Sequence, residues 1–137
     1  MSMPPPGSRR PLSPFMIGPY YRPQLTSMLS ILHRITGLVL CAGALAFAWW
    51  LLATAAGPAP YARFAAYLHG LPGTILLLAV VFAFAYHWLN GLRHLLWDSG
   101  WGFELPRAYA TGWTVVAGSV LVTAGAAWAL FAARGAA

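Results

Sequence analysis

Long apolar runs separated by short polar segments dominate this chain. Three intervals lack Asp, Glu, Lys and Arg altogether, and they are 28, 29 and 26 residues long: 35–62, 64–92 and 108–133. A helix that crosses a lipid bilayer needs about 20 apolar residues. Each interval therefore has room for one spanning helix and a short connection. The pattern predicts an all-α membrane protein with three transmembrane helices, at about 28–55, 70–97 and 108–133.

The segments outside these runs define the expected organisation. Residues 1–24 contain many prolines and no helical periodicity, so they are predicted to form an N-terminal tail before an anchor domain at 25–137. Thr26 or Ser27 is expected to cap the first helix, because hydroxyl side chains favour that position. The third span offers small residues that allow close helix packing: Gly112, Gly118 and Gly125.

Composition agrees with a membrane protein. The chain is 60% hydrophobic and 7% charged, whereas soluble domains carry about a quarter charged residues. Its net charge of +6 comes from eight arginines. Six of them lie before or at the start of the first span and around the loop between spans two and three. This asymmetry predicts that the N-terminus and that loop are cytoplasmic, and it reflects membrane orientation rather than nucleic-acid binding.

Two further features bear on the compartment. Cys41 is the only cysteine and lies in the first span, so no disulfide can form within the chain. The first 14 residues lack the hydrophobic core of a signal peptide and the amphipathic character of a transit peptide. These features favour a multi-pass protein of the bacterial inner membrane.

His87 is the most informative residue, since it lies deep within the second apolar run. Ionisable groups at that depth are costly and mark candidate functional sites. On a helix it forms one stripe with three other residues, at i+4, i+7 and i+11: Gly91, His94 and Asp98. Neutral imidazole is a common haem ligand. A haem also needs space for its ring, which Gly91 provides, and cations for its propionates.

The stripe leaves several interpretations open. His87 could merely hydrogen-bond a carbonyl on a neighbouring helix, and His94 could ligate iron in its place. Arg93 and His94 lie nearer the cytoplasmic end, where propionates would point. Asp98 could relay protons, although an aspartate that ends a helix is the simpler interpretation.

A second cluster opens the first span. One helix face carries polar and small residues at i, i+3, i+7 and i+10: Ser27, Ser30, Arg34 and Gly37. An arginine near the membrane surface can serve simply as an anchor. With Ser30 and His33 in the same sector, Arg34 could instead pair with a propionate or bind a quinone carbonyl oxygen.

These residues together resemble a known family, the cytochrome b membrane anchors of succinate dehydrogenase (respiratory complex II). The resemblance spans residues 10 to about 130. It is carried by Arg10-Pro11-Leu12-Ser13-Pro14, by Ser-x-x-His-Arg-x-x-Gly at residues 30–37, and by His-x6-His-x3-Asp at residues 87–98.

The resemblance implies a haem b shared with a second hydrophobic anchor subunit, with His87 as an axial iron ligand. It places His33, Arg34 and His94 near the haem propionates, and Ser30 and Arg34 at a ubiquinone site. Further implied partners are an iron–sulfur subunit and a flavoprotein subunit, through which electrons pass from succinate to the quinone.

The residues alone support less than the resemblance does. The chain has no dinucleotide-binding glycine motif and no iron–sulfur cysteine spacing, so it should have no dehydrogenase activity by itself. Two alternatives remain: an anchor of a quinol:fumarate reductase, and a haem-free membrane scaffold or assembly subunit. The sequence does not distinguish ubiquinone from menaquinone.

Overall fold

The computed structural model describes residues 22–136, and this part of the chain is helical throughout apart from short connections. Its elements are α1 (Leu25–Ala55), α2 (Pro58–His69), α3 (Leu71–Asp98) and α4 (Leu105–Gly135). The three long helices are apolar enough to cross a membrane. They confirm the predicted all-α class with three spans. Most of the predicted tail, residues 1–24, lies outside the described residues.

Helix α2 was not predicted, since its residues were assigned to a short connection. Gly57, with a φ of 107°, separates it from α1, and Pro58 occupies its first turn. Proline favours that position because its missing N–H would have no helical partner there. At 12 residues, α2 is too short to cross a bilayer. It buries Phe64 and joins the outer ends of α1 and α3.

The expected cap of α1 is wrong. The helix begins at Leu25, and its N-cap residue is Gln24, which makes no side-chain capping bond. Thr26 and Ser27 already lie inside the first turn. A cap requires a residue with non-helical backbone, which neither of them has.

Helix α3 lies at the centre of the bundle and packs against both α1 and α4. Leu29, Tyr86 and Val115 form the buried core where the three long helices meet. A Cβ on Gly112 would lie 2.7 Å from Leu29 Cδ1, and one on Gly118 would lie 3.0 Å from Leu89 Cδ1. These two glycines therefore allow the close packing predicted for α4.

Most large apolar side chains point away from the bundle. Leu38, Leu45 and Trp128 are 73%, 75% and 76% exposed. Such exposure would be unfavourable in water but suits a lipid environment or further hydrophobic subunits. The bundle has two distinct ends. The α1-start end is where α1 begins, α3 ends and α4 begins, and the α2 end lies opposite.

Gly73 has the least room for a side chain among the glycines of residues 22–136. A Cβ there would overlap the Tyr67 carbonyl oxygen and lie 2.6 Å from Leu68 Cα. Both obstacles are backbone atoms, so a side chain cannot be accommodated by a rotamer change. Gly73 therefore lets α2 fold back tightly onto α3.

Gly73→Ala should destabilise the protein by about 1–3 kcal/mol, the usual cost of overpacking. Thermal unfolding of the purified assembly would measure this as a lower Tm. Gly125→Ala is the matched control, because a Cβ at Gly125 meets no atom within 4 Å. Equal melting temperatures for the two variants would contradict this account.

Candidate functional site

Three histidines come together between α1 and α3. The His33 ring stacks on the His87 ring, with centroids 3.8 Å apart and planes 13° from parallel. The His94 ring lies 5.5 Å from His33 in a tilted arrangement. The structure therefore joins the two polar clusters that the sequence placed on separate helices.

Hydrogen bonding determines which nitrogen of His87 is free. Its Nδ1 lies 3.1 Å from the His33 carbonyl oxygen and 3.3 Å from Thr36 Oγ1. A carbonyl can only accept, so Nδ1 carries the proton and Nε2 keeps its lone pair. Within residues 22–136, Nε2 has no hydrogen-bond partner. The hydrogen bond from His87 to a carbonyl of the neighbouring helix, which was the alternative role of this residue, is thus present. It uses Nδ1 and leaves Nε2 for a metal.

Glycines shape the space around His87. A Cβ on Gly37 would lie 3.3 Å from His87 Cε1, so this glycine lets α1 approach the imidazole. A Cβ on Gly91 would meet no atom within 4 Å, so the surface one turn beyond His87 is open. A deprotonated ring nitrogen, a carbonyl that holds the opposite nitrogen and orients the ring, and an open neighbouring surface fit an axial haem ligand.

The candidate site residues of α1 differ in how far they are buried. Gly37 faces His87, and Ser30 is half-buried. Arg34 is exposed and makes no hydrogen bond or ion pair with any residue that the structure describes. Its guanidinium is therefore available to a ligand or subunit outside this chain.

Two adjacent residues of α3 form hydrogen bonds with carbonyl groups on one turn of α1. The Tyr86 hydroxyl, which is fully buried, donates to the Leu29 carbonyl oxygen at 2.9 Å. His87 Nδ1 donates to the carbonyl of His33, four residues further along α1. Ser30 lies on the turn between these two carbonyls, so its position relative to α3 is fixed.

Tyr86→Phe should lower stability by about 1 kcal/mol, the typical net value of a buried hydrogen bond. The ring keeps its packing, and the Leu29 carbonyl can keep its own helical bond. The expected observation is a modest fall in Tm of the purified assembly. Tyr61→Phe, at an exposed tyrosine of α2, should leave Tm unchanged. An identical Tm for wild type and Tyr86→Phe would show that the bond contributes nothing.

Arg93 does not join the histidine cluster, although the sequence placed both it and His94 toward the same end of α3. It is 97% buried against α4, where Nε donates to Thr111 Oγ1 at 3.1 Å and Nη2 to the Ala108 carbonyl oxygen at 3.0 Å. Its guanidinium carbon lies 3.9 Å from the Trp97 ring centroid. The reason is helical geometry, since Arg93 lies about 100° around α3 from His94.

Other surfaces offer less chemistry. Asp98 is exposed at the last residue of α3, which suits a residue that ends a helix. A groove of about 290 Å³ lies toward the α2 end, and none of the three histidines lines it. Its lining is apolar: Gly43, Ala46, Phe47, Trp50, Phe64, Leu68, Leu76, Leu77 and Val80. The histidine cluster is therefore the candidate site.

Sequence analysis missed a second polar stripe on α3. Tyr86, Asn90 and Arg93 follow one another at i, i+4 and i+7, and all three are buried. The same spacing rule that identified the His87 stripe would have found them. They face the interior of this chain, whereas His87 and His94 lie nearer its surface.

Comparisons with known proteins bear on the identity of this site. The family described as "Succinate dehydrogenase/Fumarate reductase transmembrane subunit" matches residues 7–126. A "Succinate dehydrogenase cytochrome b556 subunit" from Rickettsia conorii is 41% identical, over 85% of this chain and 89% of its own length.

Two further relatives extend this similarity. The subunit of the same name from Paracoccus denitrificans is 39% identical, over 82% of this chain and 85% of its own length. The human "Succinate dehydrogenase cytochrome b560 subunit, mitochondrial" is 37% identical, over 88% of this chain and 72% of its own length. The chain therefore belongs to the family of transmembrane subunits of succinate dehydrogenase and fumarate reductase.

Proposed function

We propose that this chain is the membrane anchor of a succinate:quinone oxidoreductase that binds haem b through His87 and helps form the ubiquinone-reducing site. The observation that carries the proposal is the state of His87. Its Nδ1 proton is held by the His33 carbonyl, so Nε2 is left as a ligand beside the open surface at Gly91. A carbonyl or carboxylate behind the imidazole is the usual arrangement for a metal-bound histidine.

The surrounding residues would hold the rest of the haem. His87 and His94 flank His33, and the guanidinium of Arg34, which has no partner among residues 22–136, can form two parallel hydrogen bonds with a carboxylate such as a propionate. The second axial histidine would come from a second hydrophobic anchor subunit. When bound, the haem would supply a one-electron redox centre.

Ser30 and Arg34 would contact the quinone. They lie about 7 and 14 Å along the helix from the start of α1, on the rise of 1.5 Å per residue, and so near one membrane surface. A quinone carbonyl gains negative charge on reduction, which a hydroxyl donor and a guanidinium both stabilise. Arg34 could approach either a propionate or the quinone, because nothing in the described chain holds it.

The proposal includes the assembly around this chain. An iron–sulfur subunit and a flavoprotein subunit would deliver electrons from succinate, since this chain is not a dehydrogenase by itself. Residues 1–24 would form the cytoplasmic tail and 25–137 the anchor domain. With the N-terminus in the cytoplasm, the α1-start end would face the soluble subunits at the bacterial inner membrane.

A fumarate reductase anchor is the second candidate, because the matching family is described by both activities. The direction of electron flow depends on the potential of the quinone and on the partner subunits. Comparison of ubiquinone and menaquinone as substrates of the purified complex would distinguish the two candidates. Faster turnover with menaquinol and fumarate would favour the second.

The decisive experiment is a redox difference spectrum of the purified complex, with its subunits identified by mass spectrometry. We expect the absorption bands of a b-type haem, together with reduction of ubiquinone by succinate. A colourless complex that still reduces ubiquinone would contradict haem binding and favour the scaffold role.

A further inference from the structure

Asn90 is a buried polar residue that the proposed function does not use. Its side chain has no exposed surface, and neither Oδ1 nor Nδ2 has a hydrogen-bond partner within residues 22–136. A buried amide group without a hydrogen-bond partner is unfavourable, because it has lost its bonds to water and gained none in return. Native proteins rarely keep such groups unless an ordered water satisfies them.

A second unpaired atom lies on the facing helix. His33 Nδ1 is also buried without a partner, whereas His33 Nε2 is not among the buried unpaired atoms of the described chain. The two edges of this imidazole are therefore unequal. Nδ1 is enclosed without a hydrogen-bond partner, whereas Nε2 is not enclosed in this way.

Asn90 and His33 lie at the same level of the bundle. The His33 ring is 3.8 Å from that of His87 and 5.5 Å from that of His94. Asn90 is three residues after His87 and four before His94, so it lies on α3 between the two rings that flank His33. The amide makes no direct hydrogen bond to His33, which suits a single bridging molecule.

Burial restricts what that molecule can be. Asn90 is fully enclosed by this chain alone, so a side chain of another subunit would have to displace helices to reach it. A water is small enough, and a buried water typically makes about three hydrogen bonds. His33 Nδ1 and one polar atom of the Asn90 amide supply two of these bonds.

We propose that Asn90 and His33 Nδ1 hold one ordered water where α1, α3 and α4 meet, and that Asn90 thereby acts as a positioning residue for His33. The water fixes the inner edge of the imidazole and so presents Nε2 at the surface beside His87. The positional claim stands on this chain alone. Its consequence for the haem rests on the proposed function.

A structure of the purified complex at a resolution that shows ordered water is the direct test. We expect a density peak within about 3.5 Å of His33 Nδ1 and of one Asn90 amide atom. A direct bond between the two side chains, or a dry junction, would overturn the proposal. This result does not depend on whether haem is present.

The positioning role is tested in the same complex by the haem midpoint potential. Asn90→Leu should shift the potential, because the amide that holds the water and thereby orients His33 is gone, while haem content and reduction of a soluble dye by succinate stay close to wild type. Asn90→Ser, which retains a hydroxyl for the water, should restore most of the wild-type value.

Ser119→Ala is the matched control. Ser119 is also fully buried, but it lies on α4 and donates to the Val115 carbonyl, so its loss should not change the haem potential. An unshifted potential in Asn90→Leu, or an equal shift in Ser119→Ala, would overturn the positioning role. A wild-type complex without haem would contradict the proposed function instead and leave the water site standing.

Discussion

Replacement of His87 by alanine is expected to leave the assembled complex almost free of haem. The change removes the proposed axial nitrogen, and even the loss of a residue that only orients a metal ligand typically costs 10- to 100-fold in affinity. Haem per flavin in the purified complex should therefore fall by at least about tenfold. Oxidation of succinate with a soluble dye should continue, because the proposed function assigns that reaction to the soluble partner subunits.

His69→Ala is the matched control for this prediction. His69 is exposed at the end of α2, at the opposite end of the bundle from the histidine cluster, so its removal should leave the haem spectrum unchanged. A wild-type spectrum in His87→Ala would eliminate the axial assignment. Loss of the entire complex would indicate that the hydrogen bond from His87 to α1 is needed for assembly.

Gly91→Leu tests whether haem packs against the α3 surface beside His87, without removing the proposed iron ligand. Apart from the local backbone of α3, no atom of residues 22–136 lies within 4 Å of a Cβ at this position, so the bundle itself should tolerate the larger side chain. His87 would keep its bond to the His33 carbonyl. If haem lies against this surface, its content should fall although the iron ligand remains. Full haem content in Gly91→Leu would place the macrocycle elsewhere.

The sequence was sufficient to predict the three spans, and the order of the helices accounts for the proximity of the two polar clusters. Membrane spans are strongly marked, because a bilayer requires about 20 apolar residues for each crossing. The clusters meet because α1 and α3 run in opposite directions, so the start of one lies beside the end of the other. That relation follows from the order of the helices along the chain.

What the sequence did not reveal depends on three-dimensional packing. Helix α2 was missed because its two prolines and the glycines on either side of it also fit a loop, and only its contacts with the neighbouring helices distinguish the two. The burial of Arg93 against α4 was not predicted. Adjacent residues lie about 100° apart around a helix, so Arg93 and His94 face different sides of α3. The stacking of His33 on His87 depends on the close approach that Gly37 permits, which periodicity does not encode.

Arg34→Ala and Ser30→Ala should each slow the reduction of ubiquinone by succinate about 10- to 100-fold. This range corresponds to the loss of one hydrogen bond to a charged group, about 1.5–3 kcal/mol. The reduction of a soluble dye should remain near the wild-type rate, because electrons leave the soluble subunits before they reach this site. Steady-state rates with the two acceptors in the same preparation provide the measurement.

Arg63→Ala is the matched control, since Arg63 is exposed on α2 at the far end of the bundle. Arg34→Lys is a more conservative test. Lysine keeps the positive charge, but its ammonium group lacks the planar array of N–H donors by which a guanidinium binds an oxygen in a fixed geometry. An intermediate rate is expected for it. Equal loss of both activities in Arg34→Ala would indicate failed assembly, and unchanged quinone reduction would remove Arg34 from the site. The two acceptors thus separate a residue that binds quinone from one that only anchors α1 at the membrane surface.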